Sequence, residues 1–137
     1  MTLRSSIPAV LSLVVVFATG CTDTFTSPTE VAGSPVDSFS GLLTPGGTAS
    51  RSYVMATPGR LSARLSATTP DGIVLGLGIG IPRANGAGCS LTVSVETAAG
   101  PTAQVSAATD AGTYCVQLYD LGGLTQTLPF TLLFSRQ

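Results

Sequence analysis

The chain has three cysteines and no histidine, so thiols carry its most distinctive chemistry. Without histidine, neither a Ser-His-Asp triad nor a Cys-His pair can form, and the commonest zinc ligand is missing. The acidic residues Asp71, Glu96, Asp110 and Asp120 are scattered over predicted turns and one predicted strand. They do not suggest the two carboxylates, held a fixed distance apart, that a glycosidase requires. The composition therefore predicts a protein that is not an enzyme.

The first of the cysteines, Cys21, follows a segment that has the features of an export signal. Residues 7–18 are almost entirely apolar, and a run of about twelve residues is too short to cross the hydrocarbon core as a helix. Small residues then precede the thiol in the order Ala18-Thr19-Gly20-Cys21. This arrangement resembles the lipobox of bacterial lipoproteins, in which a peptidase cleaves before a cysteine that carries lipid.

That resemblance implies a location for the protein. Residues 1–20 would be a lipoprotein signal peptide, and Cys21 would be lipidated and would anchor the chain to a membrane of the cell envelope. Thr22 stands where lipoproteins retained at the inner membrane tend to have aspartate, which implies the outer membrane. Residues 21–35 are rich in Thr, Ser, Pro and Gly without a hydrophobic period, which is typical of a flexible tether.

Cys89 and Cys115 remain as a matched pair if Cys21 carries lipid, because an odd thiol is not expected in an oxidising compartment. Their bridge would close a loop of about 27 residues, which stabilises a folded chain by roughly 3 to 4 kcal/mol. Neighbouring residues of a strand face opposite sides. Cys115 should therefore point away from Tyr114, and we expect the disulfide on an outer face or at the rim.

Residues 36–137 are predicted to form one all-β domain. Apolar and polar residues alternate in about eight short segments separated by Pro, Gly and Asp turns. The segments are 38–43, 50–55, 60–67, 73–81, 90–96, 103–108, 114–119 and 130–135. Strands with one apolar face must bury it against a second sheet, so we expect a β-sandwich or jelly roll of short antiparallel strands.

Several surface positions are candidates for binding a ligand. The net charge is −1 and there is no lysine, so the chain has no basic stripe for nucleic acid. Arg60 and Arg64 should share one face of a strand, where they could contact an acidic polysaccharide or a lipid headgroup. Gln117 and Tyr119 should point outward beside Cys115, where the tyrosine could stack on a sugar.

No cofactor is predicted, with calcium as the one exception to consider. Asp71, Asp110 and Asp120 lie in or beside turns and could supply oxygen ligands if those loops converge.

The glycines at positions 76, 78 and 80 leave one strand face bare. They either relieve crowding or admit a flat ligand or another backbone, and the first interpretation is favoured.

The order of several short motifs resembles the bacterial pre-peptidase C-terminal domain. They are FSGLL at 39–43, PGG at 45–47, the strand through Tyr53, PGRL at 58–61 and AGTYCV at 111–116. The resemblance implies a non-catalytic, jelly-roll-like sandwich of the kind appended to secreted hydrolases, some members aiding secretion and others binding polymers or calcium. DAGTY at 110–114 also looks like the tyrosine corner of immunoglobulin-like sandwiches, but the cysteine follows one residue later instead of two, and tryptophan is absent.

Three functions remain open at this point. The first is a protein-interaction or stabilising module for an envelope or exported protein, and the second is a carbohydrate-binding domain. The third is a self-assembling structural surface protein, in which the Gly-rich strand at residues 73–81 would be an unprotected edge for pairing with another copy.

Overall fold

A computed structural model of the chain describes residues 36–102 and 104–137, and all eight regular elements in this part are strands. They are β1 (Val36–Leu43), β2 (Thr48–Met55), β3 (Gly59–Thr68), β4 (Leu75–Pro82), β5 (Cys89–Thr97), β6 (Val105–Thr109), β7 (Gly112–Tyr119) and β8 (Leu128–Arg136). Each alternating segment of the sequence forms one of these strands. In the described residues, no helix is long and apolar enough to cross a membrane.

The eight strands form two antiparallel four-stranded sheets. The first sheet, sheet A, has the order β1-β8-β3-β6, and the second, sheet B, has the order β2-β7-β4-β5. β1 pairs with β8, β2 with β7, β3 with β6 and β4 with β5. The chain is thus one long hairpin, rolled up so that β3 joins β8 and β4 joins β7. This nested pairing is a jelly roll, which confirms the predicted fold class.

The core lies between the two sheets. Leu61 and Leu65 of β3 and Leu77 and Leu118 of sheet B are fully buried. Other buried side chains in the same cluster are Leu43, Leu75, Ile79, Val116, Leu132 and Phe134. Most of them occupy every second position of a strand, so the alternation in the sequence produces the core directly.

Because neighbouring strands are antiparallel, the connecting loops divide between the two ends of the sandwich. We call one the Val36 end, since β1 starts there; it carries the loops at 56–58, 83–88 and 110–111. The opposite one is the Asp120 end, with the loops at 44–47, 69–74 and 120–127 and, between β5 and β6, residues 98–102 and 104.

The prediction that residues 73–81 form an exposed edge is wrong. β4 lies inside sheet B, hydrogen-bonded to β7 on one side and to β5 on the other. Its backbone groups are therefore used within the sheet and do not offer a template for a second copy. The edge strands in the described part of the chain are β1, β6, β2 and β5.

Candidate functional site

The disulfide lies on the outer face of sheet B. Cys89 and Cys115 are bonded, with their Cα atoms 6.0 Å apart, and each is only 1% exposed. Tyr114 packs against the core from the other side of β7, so Cys115 points outward as the alternation predicts. Cys115 pairs with Gly80 of β4, and the bridge therefore reaches over β4 to the start of β5.

The glycines of β4 are covered by side chains from neighbouring strands. The ring of Tyr119 lies directly over Gly76, where a β-carbon would overlap it, and a β-carbon at Gly78 would lie 2.8 Å from the Leu91 side chain. Gly80 is packed against the backbone of β5 at a bulge. The glycines thus relieve crowding beneath the protein's own side chains, and the row is closed to a flat ligand.

Gln117 and Tyr119 share this outer face, as predicted, but their side chains make different contacts. The Oε1 atom of Gln117 accepts a hydrogen bond from the backbone N–H of Cys89 at 2.8 Å. Gln117 therefore ties β7 to the start of β5. Tyr119 lies flat on Gly76 and remains partly exposed. Both side chains are half-buried, and Tyr119 is the one of the two with an aromatic ring to offer a partner.

Arg60 and Arg64 share the outer face of sheet A. Arg64 donates a hydrogen bond to the carbonyl of Pro101, which ties it to the β5–β6 loop. Ser62, between the two arginines, bonds the hydroxyl of Ser106 at 2.7 Å. A hollow beside Arg64 has a volume of about 130 Å³, which is below the roughly 300 Å³ of ordinary ligand pockets. Arg60 is exposed near the Val36 end.

The three predicted calcium ligands do not converge. Asp71 and Asp120 lie at the Asp120 end, whereas Asp110 is in the β6–β7 turn at the Val36 end. The backbone N–H of Asp110 donates to the hydroxyl of Tyr114 at 3.0 Å, which is the hydrogen bond of a tyrosine corner. Across the described residues, no group of three His, Cys, Asp or Glu side chains could hold a metal. The structure therefore does not bring these three aspartates together.

Asp120 instead organises the loop that follows β7. Its Oδ1 accepts hydrogen bonds from the backbone N–H groups of Gly122, Gly123 and Leu124, at 3.0 to 3.1 Å. Its Oδ2 accepts a fourth from Gly46 in the β1–β2 turn, at 2.8 Å. We call this arrangement the Asp120 clamp. The N–H of Gly46, followed by those of the loop, lowers the pKa of the Asp120 carboxyl, because each bond favours the charged form.

The clamp holds an exposed apolar side chain in place. Leu121 is 42% exposed in the clamped loop, and Gly122 has a φ of 95°, a conformation that suits glycine. In the sequence, Asp-Leu-Gly-Gly marks a turn in which aspartate bonds the following backbone. Nothing in the sequence indicates the bond to Gly46, which is 74 residues away.

A second group of polar side chains closes the side of the sandwich between β1 and β2. Arg136 and Asp37 form an ion pair of 2.6 Å, and the Arg51 guanidinium lies 5.8 Å from the centre of the Phe39 ring. Beneath them, Tyr53 packs on Phe134. The pKa of Tyr53 is raised to about 12, mainly because its side chain is buried. This cluster was not predicted, because β8 is far from β1 and β2 in the sequence.

The predicted signal peptide, Cys21 and the tether at 21–35 lie outside the described residues.

No protein-family model matches the sequence, and no match is found among curated proteins. Among solved structures, the fold is similar to that of Aeromonas hydrophila PliG, a periplasmic lysozyme inhibitor of g-type lysozyme. The TM-score is 0.52 at 15% identity, over 77% of this chain and 90% of that one. At that identity, the likeness establishes the sandwich fold alone.

Proposed function

We propose that this chain is a non-enzymatic protein-binding module of the bacterial cell envelope. The observation that carries the proposal is the Asp120 clamp, which fixes a loop in which Leu121 is exposed. A loop already held in one conformation loses little entropy when a partner binds, so more of the contact energy appears as affinity. A rigid loop on a rigid sandwich is a means of recognising another protein.

The fold supports a partner of a particular class. PliG, which shares the sandwich, is an inhibitor of a g-type lysozyme in the periplasm. We take a lysozyme-type cell-wall hydrolase as the partner, since such an enzyme and an envelope-anchored chain would meet outside the cytoplasm. The resemblance to the pre-peptidase C-terminal domain agrees with a role beside exported hydrolases.

The lipid anchor completes the proposal. Residues 1–20 are a signal peptide, Cys21 carries lipid in the outer membrane, and residues 21–35 connect it to the domain. β1 starts at Val36, at the end of the sandwich opposite the Asp120 clamp. An anchored chain therefore presents its clamped loop away from the membrane that holds it.

The test is inhibition of a g-type lysozyme by the exported chain, extracted in detergent. We expect the two proteins to co-elute in size-exclusion chromatography and the chain to slow lysis of isolated peptidoglycan. Leu121→Ser should weaken both effects, whereas Val54→Ser should not, because Val54 is 65% exposed near the opposite end. A wild-type chain that neither co-elutes with the enzyme nor slows lysis contradicts this partner.

Carbohydrate binding is the second candidate, and Tyr119 is the observation in its favour. Its partly exposed ring lies flat on Gly76, and such a ring can pack against an apolar sugar face while its hydroxyl stays hydrated. Affinity electrophoresis in gels containing acidic or neutral polysaccharides separates the two functions. Retardation of the wild type but not of Tyr119→Ala would favour the sugar, and unchanged migration would exclude the polymers used.

A further inference from the structure

The charged residues are distributed unequally between the two ends of the sandwich. The four loops of the Asp120 end contain Asp71 and Asp120 and no basic residue, and Glu96 lies one residue before the end of β5 at the same end. The arginines Arg60, Arg83 and Arg136 all lie near the Val36 end. Of the other two arginines in the described residues, Arg51 lies midway along β2 beside Phe39. Arg64 lies on the outer face of sheet A, where its guanidinium is bonded to Pro101 in a loop of the Asp120 end.

Apolar and aromatic side chains of the same end lie on the side of sheet B. Tyr119 pairs with Gly76, and Gly76 pairs with Glu96 on its other side, so Tyr119 and Glu96 flank Gly76 on the same outer face. Two residues beyond this row lie Val74 and Leu121, 52% and 42% exposed, where β4 begins and β7 ends. We call Asp71, Val74, Glu96, Tyr119, Asp120 and Leu121 the Tyr119 patch.

The composition of the patch is that of a protein interface. Recognition surfaces combine an aromatic and apolar centre with a polar rim, and tyrosine is enriched among the residues that dominate binding. Here the centre is held in place from beneath, since Gly76 lets the Tyr119 ring lie against β4 and the Asp120 clamp fixes Leu121. Little ordering is left to occur when a partner binds.

We infer that the Tyr119 patch docks a cationic surface of the partner protein, with the carboxylates of Asp71 and Glu96 facing basic side chains. The inference rests on the proposed function and adds to it the docking surface and the charge of the partner. Complementary charge steers the encounter and excludes partners of the same sign. The chain outside the structure joins at Val36, at the opposite end, so an envelope anchor leaves this patch accessible.

The experiment measures Kd for the detergent-extracted exported chain with a g-type lysozyme of basic isoelectric point, before and after its lysines are succinylated. We expect Asp71→Asn/Glu96→Gln to weaken binding about fivefold at low ionic strength, and the loss to shrink in about 0.5 M salt. Asp110→Asn, an acid removed at the Val36 end, is the control and should leave Kd within about twofold. Tyr119→Ala should weaken binding about tenfold at any salt concentration, and succinylated lysozyme should not bind.

Three results would overturn the inference, and they separate it from the proposed function. If the wild type binds lysozyme but Asp71→Asn/Glu96→Gln and Tyr119→Ala bind as tightly, the protein-binding function stands and the docking surface is elsewhere. If succinylated lysozyme binds equally well, the patch does not select positive charge. If native lysozyme does not bind the wild type at all, the partner class and the docking inference both fail. Circular dichroism of each variant establishes that a loss of binding is not a loss of fold.

Discussion

At the scale of single residues, Asp120 is the side chain on which the candidate loop depends. In Asp120→Asn, Oδ1 can still accept from the loop, but the amide nitrogen cannot accept the N–H of Gly46. We expect a lower Tm at neutral pH. Folding lowers the pKa of the Asp120 carboxyl below its ordinary value of 3.8. The stabilisation that Asp120 provides is therefore complete above that value, and it is lost as the pH falls through the pKa of the folded state.

The pH profile of Tm tests this account. The difference between wild type and Asp120→Asn should be constant near neutrality and should shrink below about pH 4. Asp71→Asn, which removes an exposed carboxylate at the same end, serves as the control for charge alone. An equal loss of Tm in Asp71→Asn would mean that overall charge, and not the clamp, stabilises the loop.

Gly76 is the second residue with a specific requirement, since the ring of Tyr119 occupies the place of its side chain. Gly76→Ala should destabilise the domain by about 1 to 3 kcal/mol, because the ring must move out of a packed position. Gly123→Ala is the matched control, with no atom within 4 Å of the added carbon. In a Tyr119→Ala background, Gly76→Ala should cost much less, and chemical denaturation of the four variants measures this coupling. An equal cost in both backgrounds would mean that the ring is not the obstacle.

At the scale of elements, the Cys89–Cys115 bridge fixes the edge strand β5 to β7 across β4. Reducing it, or replacing both cysteines by alanine, should lower the free energy of unfolding by about 3 to 4 kcal/mol in the chain-entropy model. Denaturant unfolding with and without reductant measures the change. The Cys21→Ala chain is the control and should unfold like the wild type. Alkylation of Cys89 or Cys115 in that chain without reductant would show that the bridge does not form.

The strands themselves could be predicted because their signal is local. Leu61, Ala63 and Leu65 alternate with polar residues, and they form the buried face of β3. The place of a strand within its sheet is not a local property. Nothing in the alternation of β4 indicates that β5 and β7 flank it, or that Tyr119 covers Gly76 from β7. For this reason the Gly-rich sequence of β4 suggests an exposed edge strand, whereas the structure places β4 inside sheet B.

At the scale of the whole molecule, the candidate site follows from which loops share an end. Consecutive strands run in opposite directions, so loops after odd-numbered strands lie at one end and those after even-numbered strands at the other. Asp71 follows β3 and Asp120 follows β7, whereas Asp110 follows β6. Counting the predicted strands would have separated Asp110 from the other two, and would have indicated the acidic end. The contact between the Asp120 loop and the β1–β2 turn could be identified only from the three-dimensional structure.

In the proposed function the orientation of that acidic end depends on the lipid anchor, so Cys21 would determine how the whole molecule is displayed. Metabolic labelling with a fatty acid should mark the wild-type chain and leave Cys21→Ala unmarked, because only a thiol at the cleavage site accepts the lipid. Cys89→Ala is the matched control: it also removes one thiol, and it should keep the label. Fractionation should place the wild type, but not Cys21→Ala, in the outer membrane. Since the sandwich joins the preceding chain at Val36, loss of the anchor should leave Kd for lysozyme unchanged while abolishing its capture at the membrane. A labelled Cys21→Ala chain, or an unlabelled wild type, would rule out lipid on this cysteine and leave the display of the Asp120 end without a physical cause.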